Sequence, residues 1–99
     1  MSGITYPFEF EHAIVGESET NADIGNTVAK TYLHRVIVTA TDNNHGGVTL
    51  SHDDHSHVIV PAGVGKGVYS IELNLTSNAT GWKATTGSHS TLIAVYKVP

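Results

Sequence analysis

Apolar side chains alternate with polar ones from Tyr69 to Thr76, which is the clearest pattern in the chain. A period of two residues is typical of a β-strand that buries one face and leaves the other in water. The apolar positions are Tyr69, Ile71, Leu73 and Leu75. Because such a face has to be covered, the pattern predicts a sheet that packs against a second layer.

Two further stretches show strand signals. Residues 4–14 alternate around Phe8, Phe10, His12 and Ile14, which predicts a first strand with Pro7 near its start. Residues 31–41 are rich in β-branched side chains, and Ile37 and Val38 are apolar in succession. We therefore expect a central strand there that is covered on both faces.

Turn residues punctuate the rest of the chain. Residues 42–47 are Asn, Asp, His and Gly, which predicts a reversal into a strand at 48–51. Shorter strands are predicted at 82–86 and 91–98, and no stretch carries a sustained helical period. Five to eight strands at spacings of about ten residues predict an all-β fold, a small antiparallel β-sandwich.

The chain has 99 residues, which predicts a single domain over residues 1–99. We expect residues 1–7 to form an N-terminal arm and residues 16–30, with Glu17, Glu19 and Asp23, to form a long acidic loop. Long loops of this kind are often functional, so a partner contact is predicted there. The alternative is a solvated connection with one helical turn.

Composition narrows the classes of function. The net charge is −4, and the five Lys and Arg residues are scattered, so we expect no nucleic-acid binding. No apolar run is long enough for a transmembrane helix, and the N-terminus does not resemble a signal peptide, so synthesis in the cytoplasm and no membrane partner are expected. A small sandwich without cysteine commonly gains stability from oligomerisation or a metal.

Two segments resemble C1q/TNF-like jelly rolls. Residues 57–75, HVIVPAGVGKGVYSIELNL, resemble the family's strand pair in which Val-Pro turns through Gly into a Gly-x-Tyr strand, and residues 90–98, STLIAVYKV, resemble its terminal strand. The resemblance implies a jelly roll that forms compact homotrimers around a threefold axis. It makes Tyr69, Tyr96 and Trp82 the candidate trimer contacts. The alternative is that Tyr69 and Trp82 fill the sandwich core.

The resemblance also implies a function. Similar domains occur in decoration (cement) and fibre proteins of bacteriophages, so we expect a structural protein that binds a major capsid protein on the virion surface. The candidate contacts with the shell are Ile4, Tyr6, Pro7, Glu17, Glu19 and Asp23. One alternative is a receptor- or glycan-binding fibre tip, with Trp82 and Tyr32 stacking on a sugar. The other is a cupin-like metal-binding protein that uses His55, His57 and His89.

Histidines are concentrated in residues 52–57, HDDHSH. On a strand, His55 and His57 share a face and could grip one metal ion, with His89 as a distant ligand. The Glu that cupin jelly rolls carry shortly after His-x-His is absent, although three copies of one histidine could also meet on a trimer axis. We expect a solvated turn and strand rim here, with no bound metal or cofactor.

Catalytic signatures are not found in the sequence. Ser51, His52 and Asp53 are adjacent, so their side chains alternate between faces and cannot form a triad among themselves. There is no nucleophile elbow and no Gly-rich phosphate loop. We therefore predict that the protein is not an enzyme.

Overall fold

A computed structural model describes residues 10–24 and 28–99. These residues form eight β-strands and no helix. The strands are β1 (Glu11–Val15), β2 (Ala22–Ile24), β3 (Tyr32–Ala40), β4 (Val48–His52), β5 (His55–Val60), β6 (Gly67–Thr76), β7 (Trp82–Thr86) and β8 (Ser90–Lys97).

The strands form two four-stranded antiparallel sheets. The first sheet has the order β1-β8-β3-β6 and the second has the order β2-β7-β4-β5. β1 pairs with β8, β2 with β7, β3 with β6 and β4 with β5. This nesting is that of a long hairpin rolled into two sheets, the jelly-roll arrangement. The predicted all-β sandwich is thereby confirmed.

The core lies between the two sheets. Its fully buried side chains come from both layers: Leu33, Val36, Val38, Leu92 and Ala94 from the first sheet, and Ile24, Val48, Leu50, Trp82 and Ala84 from the second. The apolar face of β6 packs at the margin of this core through Tyr69, Ile71 and Leu73. The second sheet of the same chain therefore covers the apolar face of β6.

Strand β3 is central, between β8 and β6, as predicted. A bulge between Leu33 and Arg35 lets both Leu33 and Val36 face the core although three positions separate them. The outer face of β3 is only half-buried, because no layer formed by residues 10–24 and 28–99 lies above Ile37. Among these residues the expectation of a strand covered on both faces is therefore wrong.

Strand β1 presents the predicted alternating residues outward. Ala13 and Val15 face the core, whereas Ile14 is 80% exposed. Apolar residues occupy both faces of this strand, so the pattern alone did not identify the inner one. The earlier part of the predicted strand, residues 4–9, and the whole of the predicted arm, residues 1–7, lie outside the described residues.

The predicted acidic loop contains a strand. β2 pairs with β7, and Ile24, opposite Trp82, is fully buried. Before it, the backbone is fastened to β7: Thr86 Oγ1 donates to the Gly16 carbonyl at 2.6 Å, and the Glu19 N–H donates to Thr86 Oγ1 at 3.0 Å. A three-residue strand with one buried aliphatic side chain is too short to show a period. In the described part of residues 16–30 no helical turn is present.

Candidate functional site

Trp82 belongs to the core of its own chain. Its side chain has no exposed surface, and Nε1 donates to the Thr31 carbonyl at 3.0 Å. The core alternative is confirmed for this residue, and its assignment to a trimer contact or a sugar platform is wrong. The reason is that β7 lies inside the second sheet, where Trp82 fills the space between the layers.

The two candidate trimer tyrosines also point inward. Tyr96 is 9% exposed, and burial together with the nearby Glu11 carboxylate raises the pKa of its phenol, which stays neutral. Tyr69 is half-buried against the core, and its hydroxyl donates to the Gly65 carbonyl at 2.7 Å. Neither ring offers a broad free face to a second chain.

Several exposed or half-buried aliphatic side chains lie on the outer face of the first sheet. Ile14, Ile93 and Ile37 lie in register across β1, β8 and β3. Val95 lies two positions further along β8, and Val68 lies on β6 opposite Thr39. Ile14 and Val68 are 80% and 69% exposed. We call these five residues the apolar band.

Few charges interrupt the apolar band. Arg35 and Glu72 neutralise each other at 3.3 Å, and Arg35 also donates to Ser70 Oγ at 3.1 Å. Lys97 lies at the end of the face, where a cleft of about 590 Å³ is lined by Phe10, Tyr32 and His34. Phe10 stacks on His34 with ring centroids 5.0 Å apart. The face therefore carries the aliphatic side chains of the apolar band beside one compensated ion pair and one lysine.

A second cluster occupies the opposite sheet, on the inner side of the β4–β5 hairpin. His52 lies opposite His55 and diagonal to His57, which lies opposite Leu50. The Nε2 atoms of His52 and His57 are 3.3 Å apart, and their rings stack at an interplanar angle of 15°. His52 also packs on Trp82, with ring centroids 4.3 Å apart. We call His52, His55 and His57 the histidine cluster.

Asp53 holds the turn beside the histidine cluster. Its carboxylate accepts backbone N–H groups from Asn78, Ala79 and Thr80 at 2.7–3.0 Å, and Oδ2 lies 2.9 Å from His52 Nδ1. The hydrogen bond with His52, followed by those from the 78–80 turn, holds the pKa of the Asp53 carboxyl well below its ordinary value of 3.8. Asp53 is therefore an anion that acts as an acceptor only. A shallow depression of about 440 Å³ opens next to it.

Sequence reasoning identified only part of this cluster. His55 and His57 do share a face, but the close pair is His52 and His57. This proximity depends on the register of the hairpin, in which diagonal neighbours across two strands approach each other. The signal that could have identified His52 is the Asp-Asp turn between two histidine-bearing strands, which predicts a tight hairpin.

His89 does not join the histidine cluster. It is exposed in the turn between β7 and β8, and its carbonyl accepts the Thr41 N–H at 2.9 Å. That turn is near the start of β4, whereas His52 is at its end. The combination of His55, His57 and His89 is therefore wrong. Within residues 10–24 and 28–99, no three His, Cys, Asp or Glu side chains already meet as a metal site.

The candidate shell contacts lie partly inside and partly outside the described residues. Glu17 and Glu19 are exposed on the segment that is fastened to β7, and Asp23 is exposed on β2 in an ion pair with Lys83. Ile4, Tyr6 and Pro7 lie outside the described residues. Ser51 and His52 occupy successive positions of β4, so their side chains point to opposite faces, as predicted.

Comparisons with known proteins find no relative. No protein-family model matches the chain, and neither curated proteins nor solved structures provide a match. No helix in the described part of the chain is long and apolar enough to cross a membrane. The apolar band and the histidine cluster are therefore the features of the described residues that bear on function.

Proposed function

We propose that this chain is a non-enzymatic structural protein: a homotrimeric jelly roll that binds the outside of a large protein shell as a decoration (cement) protein. The observation that carries the proposal is the apolar band on the outer face of the first sheet. Exposed aliphatic side chains grouped on one face of a sheet are typical of an interaction site.

The chemistry of the band favours a second copy of the same chain as its partner. The charges on the face are few, and Arg35 and Glu72 already compensate each other. Two copies can therefore approach without net repulsion, whereas a strongly charged partner would find no complement. Closed rings of identical chains are the common form of small oligomers, and the resemblance to C1q/TNF-like domains favours three subunits.

The band also replaces the trimer contacts that sequence reasoning assigned to Tyr69, Tyr96 and Trp82. Burying Ile14, Ile93 and Val68 would remove the most exposed aliphatic side chains of this face from water. Burying an exposed side chain of this size contributes about 1.5–3 kcal/mol. Ile14 and Val68, which are 80% and 69% exposed, would contribute more than Ile93, which is 37% exposed. This contribution compensates for the small core of a 99-residue sandwich without cysteine.

Attachment to a shell is the next step of the proposal. A trimer presents three copies of each contact, so weak individual contacts add up through multivalency. The exposed Glu17 and Glu19 side chains lie on a backbone that is anchored to β7, which offers an ordered acidic contact. A glycan-binding fibre tip is less well supported, because Trp82 is not available to stack on a sugar.

The trimer interface is tested by two matched charge insertions. Ile14→Glu places a carboxylate in the apolar band, and Val58→Glu places one at a similarly exposed position of β5, 68% exposed, in the other sheet. Size-exclusion chromatography with light scattering should show a trimer for the wild type and for Val58→Glu, and a monomer for Ile14→Glu. Equal behaviour of the two variants would contradict the assignment of the interface.

The shell attachment is tested separately. The tagged chain, expressed in its source cells, should sediment in a density gradient with particles far larger than a trimer. Glu17→Gln combined with Glu19→Gln should shift it to the top of the gradient while the trimer persists. Sedimentation of the wild type as a free trimer would contradict the decoration role and leave the trimer interface intact.

A further inference from the structure

The histidine cluster contains a separation that is characteristic of metal ligands. His52 Nε2 and His57 Nε2 lie 3.3 Å apart at the inner side of the β4–β5 hairpin. Imidazole nitrogens bind zinc at about 2.0–2.1 Å, so two ligands at a tetrahedral angle lie about 3.3–3.4 Å from each other. Without an ion, the same distance suits a hydrogen bond from His57 Nε2–H to His52 Nε2.

Asp53 sets the tautomer of His52. The ionised carboxylate has no proton to donate, so the 2.9 Å contact requires a proton on His52 Nδ1. His52 Nε2 then carries a lone pair directed away from Asp53. A carboxylate that holds the second nitrogen of an imidazole is the usual outer partner of a metal-binding histidine. Asp53 is itself fixed by backbone N–H groups of the 78–80 turn.

His55 is placed to complete the site. It lies opposite His52 in the hairpin, with ring centroids 5.4 Å apart, and its side chain is exposed. Opposite residues of an antiparallel pair have Cβ atoms about 4.5–5.5 Å apart, so rotation of the side chain brings an imidazole nitrogen within reach. The imidazoles of His52 and His57, the imidazole of His55 after rotation of its side chain, and one water molecule would supply four ligands.

We propose that His52 and His57 form a binding site for a late transition-metal dication, Zn²⁺, Ni²⁺ or Cu²⁺, with His55 as a third ligand and Asp53 as a positioning residue. Nitrogen donors select these ions over Mg²⁺ and Ca²⁺, which prefer oxygen. Among them Cu²⁺ binds most tightly. The site lies on the opposite sheet from the apolar band and does not depend on the trimer.

Trp82 provides a direct readout. It is the single tryptophan of the chain, and its ring centroid lies 4.3 Å from that of His52. Titration of the full chain with CuCl₂ at neutral pH should quench its fluorescence saturably at one ion per chain. His57→Gln should weaken this binding at least about tenfold. His89→Asn, which removes an exposed imidazole and tolerates the positive φ of 56°, should leave it unchanged.

Two outcomes of the copper titration would overturn the site. One is quenching that does not saturate, and the other is an equal loss of affinity in His57→Gln and His89→Asn. If His57→Gln does not fold, ZnCl₂ titration of the wild type, followed by ¹H–¹⁵N correlation spectra of the imidazoles, decides the question. The His52 and His57 resonances should shift together while His89 stays in place; unchanged His52 and His57 signals would exclude the site.

Discussion

Asp53 does more than turn the chain between β4 and β5. It adopts a positive φ of 51°, accepts three backbone N–H groups and lies against His52 Nδ1. The conformation is one that Asp tolerates better than most residues. A single carboxylate thus joins the β4–β5 turn to the β6–β7 turn and orients the histidine cluster.

Asp53→Asn tests this role through pH. In the folded chain the pKa of the Asp53 carboxyl lies below its ordinary value of 3.8. Ionised Asp53 therefore stabilises the fold at pH values above 3.8, and this stabilisation is lost as the pH falls from 3.8 through the lower pKa of the folded state. Thermal unfolding followed by circular dichroism should give a higher melting temperature for the wild type than for Asp53→Asn at neutral pH. The difference should become smaller in acid. Asp54→Asn, at the exposed neighbouring position, is the control. A gap that is constant with pH would contradict the role.

Gly87 is required by a close approach of two backbones. A Cβ at this position would lie 2.3 Å from the Cα of Gly46, where two turns at one end of the sandwich meet. Gly87→Ala should lower the free energy of unfolding by about 1–3 kcal/mol, measured by urea denaturation. A Cβ at Gly16 meets nothing within 4 Å, so Gly16→Ala should change the free energy of unfolding little. Similar losses in both variants would contradict this contact.

At the scale of elements, period and composition predicted most of the sandwich. The alternation of β6, the central position of β3 and the hairpin into β4 follow from residue types that pack on a pleated surface. Strand β2 was missed because three residues carry no period. The outward face of β1 was not apparent because Ile14 and Val15 are both apolar, and only pairing with β8 distinguishes them.

The candidate sites required information that no single strand contains. His55 and His57 were identified by their spacing of two, but the contact between His52 and His57 arises from hairpin register. The apolar band likewise joins residues from four strands that are distant in sequence. Trp82 was ambiguous because a large aromatic residue suits a core as well as an interface.

Ile24 tests whether the short strand β2 is a real part of the core. Its side chain is fully buried opposite Trp82. Ile24→Ala should lower the free energy of unfolding by about 2–5 kcal/mol, because it leaves a cavity between the sheets. Val58→Ala, at an exposed position of β5, should cost little. Chemical denaturation measures both, and an equal small loss would show that β2 does not pack as described.

At the scale of the whole molecule, the jelly roll buries its largest aromatic residue internally and leaves an apolar sheet face in water. A chain with 14% charged residues and no cysteine gains little from surface charge and nothing from disulfides. In the proposed trimer, the outer face of the first sheet would bury further apolar surface. The histidine cluster belongs to the other sheet and lies away from that face.

Native mass spectrometry of the purified wild-type chain counts its subunits directly. We expect a single dominant species of three chains, each of 10.5 kDa, at micromolar concentration. Mild activation should release monomers and dimers from that species. A chain that remains monomeric at the same concentration would contradict the trimer, and with it the decoration role that depends on three copies of each contact.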